Sequence, residues 1–374
     1  MNLLKKKNNK DDGKRAFQKV TSIVRDILKR ASLLGGNARL ISDTAAVAVK
    51  AAASHSSVHA ARKRMKKGKS RRRIDGVLEV LDLKKVEDGI NVFLRADVKK
   101  NLRCKVLDVS MDIHQIPYHG GPYESKEEIT GGQSKEGTTK FHAMATAYII
   151  GKRGKRFTMA IKFVPRGMSM RGIVQDLLEL LRKCGIRVRM LLLDRGFYSI
   201  DVVKLLMRFN IGFIIPMRGK RLEKRKGSYS TTYLMKSVKD GKPVSQLVNA
   251  VSVIKYNRGK RFKHHGAMQL CFITYGIGIG FYRMAEVYRK RFGIESSYKL
   301  NKAIRPRTSS RNPARRLLLF GTSMLIQNTW VEVKLTFCRH VAKTSRRTIT
   351  LRDFADILLS WIRRFYGEDT RIET

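Results

Sequence analysis

Three carboxylates in this chain are spaced so that they could act together on a phosphate group. Asp112 lies at or near the end of the first predicted strand, Asp194 ends the fourth, and Glu295 lies on a helix after the last strand. Three converging carboxylates can hold two divalent cations about 4 Å apart, and oxygen ligands favour Mg²⁺ or Mn²⁺. Such ions activate a water or a 3′-hydroxyl and stabilise the leaving oxygen. The pattern predicts phosphodiester chemistry with two ions per active site.

Each of these acids also has a simpler interpretation. Asp108 and Asp112 both belong to the first strand region, and either could begin a turn. An acid that follows a strand is often only a loop residue. The functional interpretation depends on the three acids occurring in this order, on these elements, inside a strongly basic chain.

The segment around Glu295 adds an aromatic ring and two cations. On a single helix Glu295 would share one face with Tyr288, Arg291 and Lys302, because at about 100° per residue these positions fall within a stripe roughly 60° wide. A surface ion-pair ladder is the alternative, since Arg291 and Glu295 are i,i+4 partners. Gly293 costs about 1 kcal/mol relative to alanine and weakens the expectation of a continuous helix.

The charge of the chain indicates a polyanionic partner. The 374 residues include 79 Lys and Arg against 30 Asp and Glu, a formal net charge of +49. Nucleic acid is the leading candidate. An anionic membrane surface would usually be met by one basic amphipathic helix, whereas the charge here is spread along the chain. The apolar run Leu317–Val331 is short for a membrane span and contains Gln327 and Asn328, so we interpret it as a buried helix.

The cysteines and the start of the chain predict where the protein acts. The four cysteines are far apart and form no C-x-x-C pair, which argues against a zinc ribbon and favours a reducing, intracellular setting. The first residues have no apolar core of signal-peptide length. We therefore expect a cytoplasmic or nucleoid-associated protein that is not held in a membrane.

Residues 1–100 are predicted to form a helical, basic, DNA-binding region. Within it, residues 62–73 contain nine basic residues in twelve. A run of this kind is usually solvated and mobile, or it contacts nucleic acid. In a chain with this charge, DNA contact is the favoured interpretation.

Residues 101–217 have the pattern of an α/β catalytic core. Three strand-like runs at 104–114, 140–151 and 156–165 precede an alternation of helix, strand, helix and strand. Gly151–Gly154 predicts a hairpin turn between the second and third runs. This order predicts a mixed sheet with helices on both faces. The remaining segments are a β-rich insertion, the second part of the core with the Glu295 helix, and a helical tail, at residues 218–280, 281–335 and 336–374.

With these motifs the sequence resembles DDE transposases of bacterial and archaeal insertion sequences, in the IS-four-like group. The second-acid motif is present as LLLDRGFYS (191–199), and DIHQIPYHGG (112–121) is similar to the family's first Asp followed by a Pro-Tyr-x-Gly turn. That alignment selects Asp112 rather than Asp108. The signature Tyr-x2-Arg-x3-Glu-x6-Lys is carried by Tyr288, Arg291, Glu295 and Lys302. The resemblance covers residues 104–335 and not residues 1–100.

The resemblance implies a ribonuclease H-like mixed sheet with a β-rich insertion before the Glu295 helix. It implies that Asp112, Asp194 and Glu295 bind the catalytic metal ions. The signature residues Tyr288, Arg291 and Lys302 would hold DNA near the scissile phosphate. Further arginines are expected either to extend the cationic surface along the phosphate backbone or to form an ordinary solvated loop: Arg305, Arg307, Arg311, Arg315 and Arg316.

These observations predict a cut-and-paste DNA transposase. It would bind terminal inverted repeats, hydrolyse the phosphodiester at the element's end and join the 3′-hydroxyl to target DNA. The partners would be double-stranded DNA of the transposon ends and of the target, and cutting two ends together implies a homodimer on DNA. Two alternatives stay open: a metal-dependent nuclease or resolvase with the same core, and a non-catalytic DNA-binding protein derived from a transposase.

Overall fold

In the computed structural model the described strands form one mixed β-sheet with helices on both faces. The structure describes residues 2–32, 37–101, 106–150, 157–218, 227–256, 267–340 and 349–369. The strands in these residues are β1 (Val106–Pro117), β2 (Thr130–Lys135), β3 (Thr138–Ile149), β4 (Thr158–Val164), β5 (Arg187–Leu192), β6 (Gly212–Pro216), β7 (Tyr229–Lys239), β8 (Lys242–Tyr256) and β9 (Ala267–Tyr275). The α-helices in these residues are α1 (Asn2–Ala31), α2 (Ala38–Ala53), α3 (Val58–Lys63), α4 (Arg71–Glu79), α5 (Leu83–Asn101), α6 (Met170–Lys183), α7 (Ile200–Arg208), α8 (Phe281–Arg289), α9 (Phe292–Ile304), α10 (Pro313–His340) and α11 (Leu351–Tyr366).

The sheet is parallel at its centre and antiparallel on either side. Its order is β2-β3-β1-β5-β6-β9-β8-β7, with β4 also paired to β3. The pairs β1–β5 and β5–β6 are parallel, whereas β1–β3, β3–β4 and β6–β9 are antiparallel. The mixed sheet predicted from the element order is therefore confirmed.

The two faces of β1 point into different surroundings. Val109 and Met111 belong to the apolar core that includes α6 and α7. Because side chains alternate along a strand, Ser110 and Asp112 lie on the opposite face. That is the face on which α9 contacts β1.

Local signals placed the central elements correctly. Ser169 and Ser199 cap α6 and α7 through hydrogen bonds from Gly172 N and Val202 N. Gly185, predicted to end α6, has a φ of +71°, a conformation that suits glycine. The Ser199 cap and the Gly185 turn depend on residues next to the helix ends, which explains why these two signals were predictable.

The first strand is longer than predicted, and one strand was missed. β1 pairs with β3 as far as Pro117, so Asp112 lies inside a strand rather than at its end. The missed strand is β2, whose four polar and two glycine residues give it no apolar pattern. The predicted hairpin turn at 151–154 lies outside the described residues.

The predicted continuous helix around Glu295 is wrong. α8 ends at Arg289 and α9 begins at Phe292. Between them the backbone hydrogen bonds shorten to i→i−3, from Arg291 N to Tyr288 O and from Ile294 N to Arg291 O, each 2.9 Å. This tighter turn changes the angular phase between the two helices. The expected four-residue stripe is therefore interrupted after Tyr288.

The β-rich character predicted for residues 218–280 is confirmed by β7, β8 and β9. These strands continue the main sheet, because β9 pairs antiparallel with β6. The helices predicted for residues 1–100 are present as α1 to α5, and they share one apolar core with α9, α10 and α11. The division into domains itself stays a prediction.

Buried asparagine side chains hydrogen-bond α5 and α10 to the edge strand β4. On α5, Asn91 donates to the Ile161 carbonyl at 2.8 Å and accepts from the Ile161 N–H at 2.9 Å. On α10, Asn328 makes the same reciprocal pair with Thr158, at 2.8 Å and 3.1 Å. These bonds satisfy the outer backbone groups of β4, which would otherwise be buried without partners.

The apolar run Leu317–Val331 lies within α10 and is buried, as predicted. Among the described residues, no helix is both long and apolar enough to cross a membrane.

Candidate functional site

Two of the candidate acids are level with each other just beyond the point where the parallel pairing of β1 and β5 ends. Ser110 of β1 pairs in parallel with Leu192 of β5, and this is the last pair between the two strands. Asp112 and Asp194 each follow two residues later. Functional groups commonly collect at this edge of a parallel sheet. The register thus brings together two residues that are 82 positions apart in the sequence.

Asp194 is held by the short turn that follows it. Its carboxylate caps the 3₁₀ helix Arg195–Phe197, and Oδ1 accepts a hydrogen bond from Gly196 N at 2.7 Å. A Cβ at position 196 would lie 2.9 Å from that oxygen, so only glycine allows this cap without a shift. Arg218 donates to the carbonyl oxygens of Arg195 and Gly196 at 3.0 Å and 3.3 Å, which fixes the turn from outside.

Gly196 and Arg218 contribute to the site without having been singled out from the sequence. The glycine was visible inside the LLLDRGFYS motif. Arg218 had no signal, because it is one arginine in a basic run and its partners are backbone carbonyls of another loop.

Arg291 lies between Asp112 and Glu295. Its Nη2 forms an ion pair with Glu295 Oε1, and its Nη1 is 3.8 Å from Asp112 Oδ2. The Arg291 side chain is 9% exposed, whereas that of Glu295 is 42% exposed. Within the described residues its Nε is buried without a hydrogen-bond partner. The buried guanidinium of Arg291 is thus shared between two carboxylates, and neither of them provides a hydrogen-bond partner for its Nε.

The electrostatics of Asp112 follow from this arrangement. Burial, reinforced by the neighbouring carboxylates of Asp194 and Glu295, raises the pKa of Asp112 to about 6. The guanidinium of Arg291 and the hydrogen bond from Ile113 N, at 2.9 Å, act in the opposite direction. The effects that raise the pKa of Asp112 outweigh those that lower it. Asp112 therefore senses the charges of both other acids.

Tyr288 packs inside the protein rather than standing free in a groove. Its hydroxyl donates to the carbonyl oxygen of Leu193 at 3.1 Å, and its ring lies 4.9 Å from that of Phe272, measured between centroids. Burial raises the pKa of Tyr288 to about 12. Since Leu193 immediately precedes Asp194, this hydrogen bond connects α8 to the loop that holds the second acid.

Lys302 is separated from the other signature residues. It lies on α9 near the far end, and its Nζ is 2.9 Å from Oε1 of Glu136 in the turn between β2 and β3. Both side chains are more than half exposed, at 62% and 53%. The structure therefore groups Tyr288 and Arg291 with Glu295 and leaves Lys302 at the rim.

The arginines after α9 divide into exposed and buried sets. Arg307 and Arg311 are exposed, whereas Arg305 is half-buried with Nη1 3.2 Å from Nε2 of His114. Arg315 pairs with Asp75 and Glu79 at 2.9 Å and 2.6 Å, and is 13% exposed.

Arg316 is buried as well. It donates to the carbonyl oxygen of Ser310 at 2.6 Å and lies over the Tyr118 ring. Arg315 and Arg316 therefore do not extend the cationic surface, and that part of the expectation is wrong. Their partners are distant in sequence and gave no local signal.

The basic run at 62–73 is an ordered loop. The Arg62 guanidinium donates to the carbonyl oxygens of Met65, Gly68 and Lys69 at 2.5 Å, 2.8 Å and 2.5 Å. The carboxylate of Asp43 accepts from Lys69 N at 2.9 Å. The carbonyl groups are thereby turned inward, and the exposed cations of the loop and of the start of α4 are Lys63, Arg64, Lys66, Lys67, Arg71, Arg72 and Arg73.

Comparison with known proteins finds a likeness to solved structures. No family model matches the chain, and no curated protein matches its sequence. A similar solved structure is that of the piggyBac transposase synaptic complex with hairpin DNA, determined by cryo-EM. The TM-score is 0.53 at 12% sequence identity, and the match covers 96% of this chain and 83% of that chain. At this identity the likeness concerns the fold: the chain shares the overall fold of that transposase.

Proposed function

We propose that this protein is a DNA transposase of the DDE type with a ribonuclease H-like core. The observation that carries the proposal is the common register of Asp112 and Asp194 beside Glu295, with the buried Arg291 among the three acids. The shared fold with the piggyBac transposase supports it. The motifs that resemble the IS-four-like group support the finer assignment.

The three acids fit a site for divalent cations by donor type and by charge. All their ligand atoms are carboxylate oxygens, which suit Mg²⁺ or Mn²⁺. At full ionisation three carboxylates outnumber the one neighbouring guanidinium, and burial together with the neighbouring carboxylates raises the pKa of Asp112.

The described residues contain no group of three or more His, Cys, Asp or Glu side chains that is already arranged to hold a metal ion. This agrees with the side chain of Glu295 being paired with Arg291. When bound, two such ions would polarise a water or a 3′-hydroxyl and stabilise the leaving oxygen.

The protein's own groups have separate tasks in this proposal. Asp194 is oriented by its hydrogen bond from Gly196 N and by the loop that Tyr288 and Arg218 hold. Arg291 is suited to bidentate contact with a phosphate, so it would exchange its carboxylate partner for phosphate oxygens when DNA enters. Lys302 at the rim would provide a point-charge contact.

Two exposed cationic surfaces would hold the DNA backbone. One contains Arg307 and Arg311 near the rim, with the half-buried Arg305 behind them, and the other is the ordered loop at 62–73 with the start of α4. The two lie on connected segments, because Arg307 N donates to Ser56 O at 3.0 Å. With a net charge of +49, the chain would bind duplex DNA of transposon ends and target in a strongly salt-dependent manner. Processing two ends together would require a homodimer on DNA.

A cleavage and strand-transfer assay tests the proposal. The full chain is mixed with end-containing DNA and Mg²⁺, and both cut and joined products are measured. Wild type should produce both, and Asp194→Ala should produce neither while still binding DNA. Activity that survives Asp194→Ala would refute the mechanism.

The same assay separates the two alternatives. Cleavage without joining would favour a nuclease or resolvase of the same fold. Tight, salt-sensitive binding with neither product would favour a DNA-binding protein derived from a transposase.

A further inference from the structure

A buried tyrosine joins the helix of Glu295 to the strand of Asp112. Tyr298 lies on α9, three residues after Glu295, and is 8% exposed. Its hydroxyl donates to the carbonyl oxygen of Asp112 at 3.1 Å and lies 2.6 Å from Oγ1 of Thr146. Because the phenol has one proton and the carbonyl can only accept, Thr146 is the donor in the second bond.

The two partners of Tyr298 belong to one rung of the sheet. Thr146 of β3 is the cross-strand partner of Asp112 in β1. The hydroxyl therefore contacts both strands at the level of the first acid. The Tyr298 ring stacks on His114, the next residue on the same face of β1, with centroids 4.5 Å apart. Ring and hydroxyl together leave the side chain little freedom.

The Tyr298 hydroxyl links the helix that carries Glu295 directly to the backbone of Asp112. On the other side of α9, towards α10, Gln327 donates to the Ser297 hydroxyl at 3.0 Å and Asn301 donates to the Ser323 hydroxyl at 2.7 Å. Two acceptors of that interface, Asn301 Oδ1 and Gln327 Oε1, are buried without a hydrogen-bond partner among the described residues. The interface between α9 and α10 thus contains polar atoms without hydrogen-bond partners. The Tyr298 hydroxyl, by contrast, bonds directly to Asp112, the residue relative to which Glu295 must be positioned.

We infer that Tyr298 is a positioning residue that fixes the separation between the Asp112 and Glu295 carboxylates and thereby sets the affinity of the acid site for divalent cations. The inference rests on the proposed function, because it assumes that these carboxylates bind Mg²⁺ or Mn²⁺. A phenol hydroxyl is protonated at neutral pH, so the Tyr298 hydroxyl remains a donor.

The test is Mn²⁺ binding to the full-length, metal-free chain without DNA, followed by electron paramagnetic resonance. Tyr298→Phe removes the hydroxyl and keeps the ring. Groups that orient ligands typically change metal affinity by about ten- to a hundredfold, so we expect Tyr298→Phe to weaken Mn²⁺ binding by about tenfold or more.

The chain offers a closely matched control. Tyr118 is 3% exposed, donates its hydroxyl to the Gly121 carbonyl at 2.6 Å, and stacks on His142 with centroids 4.5 Å apart. Tyr118→Phe therefore loses the same kind of bond away from the acids. Both variants should lose about 1 kcal/mol of unfolding free energy, and only Tyr298→Phe should lose Mn²⁺ affinity.

The outcomes separate this inference from the proposed function. If wild type binds no Mn²⁺, or if Asp194→Ala binds it equally well, the proposed function fails. If wild type binds Mn²⁺ through Asp194 and Tyr298→Phe binds it as tightly, the positioning role is refuted and the proposed function stands. Equal losses in Tyr298→Phe and Tyr118→Phe would also refute it.

A second variant keeps the inference testable if Tyr298→Phe does not fold. Thr146→Val removes one of the two hydrogen bonds of the Tyr298 hydroxyl and should weaken Mn²⁺ binding in the same direction, and Thr146→Ser should restore it. An unchanged affinity in Thr146→Val would refute the role of this hydroxyl.

Discussion

The aspartates of two acid–arginine pairs lie four residues apart on strand β1. The two pairs differ in geometry and in the burial of the arginine. Asp108 receives both arms of Arg189, at 2.7 Å and 2.6 Å, and the arginine is 66% exposed. Asp112 has the guanidinium of Arg291 at 3.8 Å, and that arginine is 9% exposed. The first pair is complete and partly hydrated. The second is buried and shares its cation with Glu295.

The difference separates a structural ion pair from a candidate site. A bidentate pair with a hydrated arginine satisfies both partners, so it has no reason to recruit a further ligand. Around Asp112 the acids outnumber the cation, and burial makes the excess charge costly. Such an arrangement is typical of sites that bind a charged ligand. Asp108 and Asp112 are the same residue type on the same strand and are similarly buried, at 11% and 15% exposed, so the geometry and burial of their arginine partners distinguish them.

The largest expected effect is on DNA cleavage. Asp112→Asn should reduce single-turnover cleavage of end-containing DNA with Mg²⁺ by at least about a hundredfold, because it removes a carboxylate that would hold the divalent cations at the reacting phosphate. Asp108→Asn should leave the rate within a few-fold of wild type. Equal losses in the two variants would remove the distinction between the pairs.

The next effect is on stability as a function of pH, in metal-free buffer. The pKa of Asp112 in the folded chain, about 6, lies above its ordinary value of 3.8. Between these pH values the unfolded chain releases the proton first, so this group lowers stability as pH rises, and the loss is complete above the folded-state pKa. Asp112→Asn should therefore be more stable than wild type at pH 8, by on the order of 2–3 kcal/mol.

Urea denaturation at pH 8 and at pH 4 measures this effect. The advantage of Asp112→Asn should shrink to about 0.5 kcal/mol at pH 4, where the carboxyl is protonated in the folded chain and only partly ionised in the unfolded chain. Asp108→Asn serves as the comparison and should show no such gain at pH 8. A stability difference for Asp112→Asn that is the same at both pH values would contradict the argument.

A smaller effect is expected for the two arginines. Arg291→Ala should lower end cleavage by about tenfold or more and should weaken overall DNA binding much less, because many exposed cations contribute to the latter. Arg189→Ala should change both quantities only slightly. If Arg291→Ala lowers cleavage and DNA affinity in the same proportion, Arg291 is a general backbone contact.

The smallest effect is the stabilisation of the folded chain by metal ions. At a concentration ten times its dissociation constant, Mn²⁺ should add about 1.4 kcal/mol to the unfolding free energy at pH 8. Removal with a chelator should reverse this gain. Asp194→Ala should show no gain, whereas Asp108→Asn should retain it, and a retained gain in Asp194→Ala would locate the binding elsewhere.

Sequence reasoning succeeded where the deciding forces are local. The cap of α7 at Ser199 and the turn at Gly185 depend on residues only a few positions away. It failed at the link between α8 and α9, where a shift to tighter hydrogen bonds separates Tyr288 from Glu295. Gly293 is the local sign of that shift, but a glycine is also tolerated inside a helix, so its presence does not show where the hydrogen bonds tighten.

By itself, the sequence determined which acids are candidates, their order along the chain, and the helices and strands that carry them. Only the tertiary structure decided that β1 and β5 are parallel neighbours, which makes Asp112 and Asp194 level. It also decided which cations are exposed, since Arg311 is on the surface and Arg316 is buried against Tyr118. The physical reason is that strand register and burial depend on partners far away in the chain, whereas residue type and helical spacing do not.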